Sequence, residues 1–241
     1  MNICKKCKCE FKGNYCSNCG HPQVIERING RYIVSEIGSV LNFQKGFFFT
    51  IKELLIRPGK NIKTFITEDR NRLVKPIMFI LITSLIYSLV NSFFHLEDGF
   101  IDGASDALED TKSVTLKILE WVQGHYGYAN IIMAVFIGLW LKVFFRKNHY
   151  NFFEILILLC FVMGIGMLIY SIFGVIKGLT QSNVAEVGAM IAFIYTVYAI
   201  GQFFDKGKIE SYLKSLVSYL LGMITFTFVA ISVGLIFDLA K

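Results

Sequence analysis

The chain has 241 residues, of which 54% are hydrophobic and only 17% charged, with a mean hydropathy of +0.55. An ordinary soluble domain carries about 25% charged residues. A water-soluble core of this size cannot hide so many apolar side chains, so lipid must act as solvent for much of the chain. The net charge of +6 is modest, and its meaning lies in where the charges fall.

The first element, residues 1–26, carries two cysteine pairs, Cys4-x2-Cys7 and Cys16-x2-Cys19, separated by eight residues. Five of the six cysteines lie in the first 19 residues, and Cys160 sits in an apolar run as a small buried hydrophobe. Lys5, Lys6, Lys8 and Lys12 are not followed by an apolar core, so no secretory leader is expected and the N-terminus is expected in the cytosol. In that compartment paired cysteines bind metal rather than oxidise. Two such pairs can set four thiolates around one tetrahedral Zn²⁺, which is favoured over an iron–sulfur site or redox dithiols. A knot this small has too little core to fold by burial alone, so metal would supply most of its folding free energy. Phe11 and Tyr15 are its bulky apolar residues and are expected to shield one side of the metal. Cys9 and His21 are spare donors, read as a free surface thiol and an ordinary loop histidine. Four thiolates leave no open position, so the expected zinc is structural.

Residues 27–73 form a basic juxtamembrane segment. Ile33, Ile37, Val40 and Leu41 share one helical face, and Phe47, Phe48, Ile51, Leu54 and Leu55 share another. Arg57-Pro58-Gly59 breaks the run, and Ile62, Phe65 and Ile66 begin a third stripe. Basic amphipathic helices of this kind are expected to lie in the headgroup plane, with anionic lipid as their partner. Nucleic acid is the weaker reading, because nearby lipid already accounts for the charge.

Residues 74–241 form the membrane domain. Five spans are expected at 74–95, 128–145, 152–176, 184–204 and 212–237, the second being the shortest at 18 residues. Residues 96–127 form a long acidic external segment in which Leu108, Thr111, Thr115, Ile118 and Val122 keep helical spacing. This predicts an amphipathic surface helix, with Trp121, Tyr126 and Tyr128 at headgroup level. Of the 24 Lys+Arg, 20 fall on the side of the N-terminus under this count and 4 on the other. That split fits five spans with the N-terminus inside and the C-terminus outside. Lys142, Glu154, Glu186, Asp205, Lys214 and Asp238 fall near span ends, where snorkelling explains them. Ser84, Ser88, Asn91 and Ser92 line the first span, and Ser215, Ser218, Gly222 and Thr225 line the last. Both stripes are read as close helix packing. Gly164 and Gly166 could bend the third span. No internal repeat is evident, and no acid pair or nucleophile–base set falls at mid-membrane depth, so no enzyme is expected.

Several motifs recur together: Phe11-x-Gly13-x-Tyr15-Cys16-Ser17-x-Cys19-Gly20, Phe49-Thr50-x3-Leu54-Leu55, Arg57-Pro58-Gly59, Phe65-Ile66 and Arg70-x-Arg72-x-Val74-x-Pro76. Over residues 1–95 this order resembles an uncharacterised family of bacterial zinc-ribbon membrane proteins, domain of unknown function 3667. Lys8, where such ribbons often carry Gly, and His21, where the family often has Gln, are departures. The resemblance implies a bacterial inner membrane and supplies no activity.

The expected fold is therefore mostly α: a polytopic helical bundle with a small N-terminal zinc ribbon and amphipathic juxtamembrane helices. The expected function is a membrane-anchored interaction or regulatory protein with an unidentified protein partner. A small transporter or channel subunit, expected as a homo-oligomer, stands second, and a membrane-surface enzyme third.

Overall fold

Sequence cues near residues 4–9 build the first unit. The computed structural model describes residues 2–4, 7–19, 46–94, 114–124, 126–180 and 184–239. The chain divides into two compact units, Met1–Leu41 and Asn42–Lys241, each treated by itself below. In the first, strand β1 (Asn2–Ile3) pairs antiparallel with β2 (Glu10–Phe11), with Asn2 opposite Phe11 and Ile3 opposite Glu10. The turn between them is fixed by two backbone bonds, Lys8 N–H to Cys4 O and Cys4 N–H to Cys9 O, both 2.9 Å. Lys8 sits at φ 62°, in the left-handed region that glycine adopts without penalty. The position where this chain departs from the ribbon pattern is thus one with a backbone reason to prefer Gly. His21 and the stripe of Ile33, Ile37, Val40 and Leu41 lie outside the described residues.

Helix α1 (Phe47–Ile56) and helix α2 (Pro58–Thr67) open the second unit. Arg57 is the joint, and Pro58 takes the first position of α2, where its missing N–H costs nothing. Phe47 and Leu54 of α1 and Ile62, Phe65 and Ile66 of α2 are buried in one core with residues of the spans. Phe47 packs on Phe79 at 5.4 Å between ring centroids, and Phe65 meets Phe161 edge-on at 5.3 Å. The sequence pattern does not show that these helices also pack on the spans. Their apolar faces dock on protein, and only Phe48, Leu55 and Ile56 leave large apolar side chains exposed on α1.

The bundle continues with α3 (Pro76–Phe94), α4 (Val114–Gly124), α5 (Tyr126–Phe144), a single 3-10 turn (Arg146–Asn148), α6 (Phe152–Thr180), α7 (Ala185–Asp205) and α8 (Ile209–Leu239). Helix α6 is the central element, with Phe161 to Met167 buried without interruption. It runs as one helix through Gly164. That glycine serves close approach instead: a Cβ there would lie 2.7 Å from the Phe79 ring of α3. Asn151 and Glu154 start α6 with a reciprocal capping box, Asn151 Oδ1 accepting Glu154 N–H at 2.8 Å and Glu154 Oε2 accepting Asn151 N–H at 2.7 Å.

The outward faces are apolar. Ile77, Met78, Leu81, Leu85, Leu89 and Phe93 are exposed along the whole of α3, and α7 and α8 carry comparable stripes. A face of this extent needs an apolar solvent. Four helices, within Pro76–Phe94, Phe152–Thr180, Ala185–Asp205 and Ile209–Asp238, are long and apolar enough to cross a membrane. The chain is a multi-pass membrane protein by that measure. Of the five expected spans, 128–145 falls in α5, a helix of 19 residues like α3, whose apolar part is Tyr128–Phe144.

The expected helix of the external segment begins at Val114 among the described residues; Leu108 and Thr111 lie outside them. Its first turn is held by Asp238 near the end of α8. Val114 N–H donates to Asp238 Oδ1 at 2.5 Å, and the Thr115 N–H and hydroxyl donate to Oδ2 at 3.2 and 2.9 Å. A carboxylate at a helix N-terminus satisfies unpaired N–H groups and complements the helix dipole. Snorkelling therefore does not describe Asp238, which acts as a remote cap, nor Glu154, which is half of a local one.

Candidate metal centre

The four cysteines expected to bind metal converge. Their Sγ atoms all lie within 4.8 Å of one another, with Cys4–Cys19 and Cys7–Cys16 each 3.5 Å apart. A tetrahedron with Zn–S bonds of about 2.3 Å has sulfur–sulfur edges of about 3.8 Å, so one ion fits this cage. Cys4 and Cys16 are buried, while Cys7 and Cys19 are partly exposed. All are free thiols, and a disulfide would bring two sulfurs to about 2 Å. Four cysteines in this arrangement could hold a metal ion.

The electrostatics separate Cys7 from Cys9. The Cys9 backbone N–H, then hydrogen bonds from neighbouring cysteine thiols, bring the Cys7 thiol down from 9.0 to about 6. Cys9 moves the other way, raised by its hydrogen bond to Cys7 and by the Cys7 charge. The Cys9 thiol is exposed, donates weakly to Cys7 O at 3.7 Å and accepts from Asn18 Nδ2 at 3.4 Å. It stands apart from the four-sulfur cluster. Asn18 was not singled out by the sequence, because an x position inside a cysteine pair carries no pattern of its own. Tyr15 is 67% exposed and does not cover the sulfurs, contrary to expectation.

In the bundle, several buried hydroxyls bond their own helices, while buried Ser218 Oγ has no partner among the described residues. Thr83 donates to Phe79 O, Ser171 to Met167 O, Thr196 to Ala192 O and Ser215 to Ser211 O, at 2.7–3.0 Å. Thr225 does the same to Leu221 O and also accepts from Trp140 Nε1 at 3.3 Å. Such back-bonding leaves these hydroxyls little to offer a passing solute. A small cavity lies beside Gly166, where an added Cβ would meet nothing within 4 Å. It measures about 20 Å³ and is bordered by Asn130, Tyr170, Thr196 and Tyr219. That is room for roughly one water molecule.

The motif residues between α1 and α3 have structural work. Buried Thr50 donates to Gly46 O and accepts Val74 N–H, both at 3.0 Å. Arg72 Nη2 donates to Glu53 Oε2 at 3.0 Å, and Asn61 Nδ2 donates to Glu53 O at 2.8 Å. Tyr195 Oη on α7 donates to Leu54 O at 3.2 Å. Gly59 permits the closest approach: a Cβ there would stand 2.4 Å from the Gln202 carbonyl carbon of α7. Together these contacts fasten the α1–α2 hairpin to the start of α3 and to α7.

Residues 44–88 match the model of a family described as a protein of unknown function (DUF3667). The match spans α1, α2, the link carrying Arg72 and Val74, and most of α3, and the four metal-site cysteines lie outside it. No curated protein and no solved structure matches the chain.

Proposed function

With residues 44–88 belonging to a family of unknown function, we propose that the chain is a membrane-anchored interaction or regulatory protein whose working surface is a cytosolic zinc ribbon. The observation that carries this reading is the convergence of Cys4, Cys7, Cys16 and Cys19 within 4.8 Å. Zinc is the metal that best suits four thiolates in two Cys-x2-Cys pairs. When bound it cross-links the β1–β2 turn to the second cysteine pair. Four thiolates fill a tetrahedron, so the residues present supply no open position for substrate or activated water. The protein is read as non-enzymatic on that ground and because no nucleophile–base set is assembled among the described residues.

The orientation belongs to the same proposal. Helix α5 has 19 residues, about 28 Å at 1.5 Å per residue, close to a hydrocarbon layer of about 30 Å. It is packed along α8, where Gly222 lets the Ile137 backbone approach. Counting it gives five spans across a cytoplasmic membrane, with the N-terminus in the cytosol and the C-terminus outside.

The test is affinity capture of the intact protein from native membrane. Cys16→Ser is expected to abolish recovery of a specific protein partner while membrane insertion is retained. Equal recovery with both chains would reject the ribbon as the working surface. The transporter reading finds its one support in the cavity by Gly166, and solute flux in liposomes unaffected by Cys16→Ser would favour it. A reporter fused after Lys241 that is active in the cytosol would reject the five-span topology.

A further inference from the structure

A groove of about 900 Å³ lies between α2 and the C-terminal end of α7, and its charge is unbalanced. Four cations, Arg57, Lys60, Lys63 and Lys206, line it against two carboxylates, Glu68 and Asp205. Asp205 is already engaged, pairing with Lys208 at 3.1 Å and accepting Gly207 N–H at 3.1 Å. Lys63 lies over the Phe203 ring, 5.9 Å from its centroid. Arg57, Lys60 and Lys206 form no ion pair among the described residues. A second groove at the same end, of about 470 Å³, also has four cations, but Lys208 and Lys214 are paired with Asp205 and Glu210, which leaves two, Arg146 and Lys147, against the three of the larger groove.

The cations of the larger groove are held together by the backbone. Pro58 and Gly59 are buried, and Gly59 is pressed on the Gln202 carbonyl, so the first turn of α2 is fixed beside the last turn of α7. Like charges held at fixed spacing without counter-ions favour an anion that brings its own negative charge. The level of the groove identifies the source. Helix α7 has 21 residues, about 31 Å, so its end reaches the headgroup region if its apolar length fills the hydrocarbon layer. Immediately before Arg57, Leu55 and Ile56 are 48% and 56% exposed. Apolar side chains beside a basic rim suit an acyl chain joined to a phosphate.

We infer that this groove binds the phosphate of an anionic glycerophospholipid, with Arg57, Lys60 and Lys206 around the headgroup and Leu55 and Ile56 against its acyl chains. The inference rests on the multi-pass reading and commits to a built site where the basic composition alone offered only diffuse attraction.

The experiment uses the full chain in nanodiscs of phosphatidylcholine doped with phosphatidylglycerol, scored by native mass spectrometry of retained lipid. Retention of phosphatidylglycerol over phosphatidylcholine is expected, falling at least tenfold in the triple variant Arg57→Gln, Lys60→Gln, Lys206→Gln. A charge-matched control, Lys52→Gln, Lys75→Gln, Lys147→Gln, is expected to retain it within twofold. Equal losses in the two triples would overturn the site in favour of general electrostatics. Binding of inorganic phosphate in pure phosphatidylcholine discs, lost in the first triple, would overturn the lipid assignment in favour of a soluble anion. The exchanged side chains are all exposed, and Lys206→Glu alone, expected to cost about threefold or more, repeats the test with one change. Discs open both faces to solvent, so the outcome does not depend on cellular orientation. Failure of the chain to enter discs at all would instead defeat the multi-pass reading.

Discussion

The two units solve opposite problems. Met1–Leu41 has too few apolar side chains to hold itself together, and its described part converges on four sulfur atoms. Asn42–Lys241 has apolar side chains to excess, and its helices gain specificity from aromatic contacts and from glycines that let backbones touch. Polar atoms follow the same division. The thiols converge on one another, whereas hydroxyls such as Thr196 and Ser215 in the bundle return to their own helices. A cysteine cluster that could hold a metal ion thus sits in the smaller unit.

The sharpest way to break this comparison is to remove the metal. Chelation or Cys16→Ser is expected to take bound zinc from one per chain to none, and to melt the ribbon, because structural zinc contributes about 10–16 kcal/mol in comparable sites. Metal analysis and circular dichroism of the intact protein would record this, with the unfolding of the bundle unchanged. A bundle that melts along with the ribbon would mean the units are not independent.

The converse change is Phe79→Ala. Phe79 is fully buried and touches Phe47, Phe161 and the Gly164 backbone, so its loss opens a cavity at the α1–α3–α6 contact. The expected cost is about 3–5 kcal/mol in bundle unfolding, with zinc content unaffected.

A graded effect should follow pH. The Cys7 thiol titrates near 6 in the folded knot, below its ordinary 9.0. The ionised form therefore favours the fold fully above pH 9, and that contribution drains away on acidification and is gone below about 6. Zinc binding must also displace the proton of each ligand thiol, so retention against a chelator of pH-independent affinity should decline on acidification, and a flat profile would contradict it. The smallest expected change is a gain: Lys8→Gly should stabilise the ribbon by about 0.5–1 kcal/mol by relieving its left-handed backbone, measured as slower zinc transfer to a chelator.

The cysteine cluster was legible because its spacing has few physical solutions, and four of the spans were legible from length and hydropathy. The docking of α1 and α2 was not. Periodicity reveals an apolar face, but the same face suits lipid or protein, and only the contacts of Leu54, Ile62 and Phe65 decide between them. The span at 128–145 was legible as apolar, and its charged end at Arg146 and Lys147 was plain, but its helix begins two residues earlier, at Tyr126. Asp238 was misread because its partners, Val114 and Thr115, lie over 120 residues away in sequence, beyond any local pattern. The motif Arg72-x-Val74 gained a physical meaning only when Glu53 and Thr50 were found beside it.

The bond from Val114 to Asp238 also bears on biosynthesis. A ribosome lays down the start of α4 well over a hundred residues before it supplies the carboxylate that holds that turn. Until Asp238 has been made, this helix waits without its clasp. Shortening the chain ahead of Asp238 would leave that early-made turn permanently unfastened.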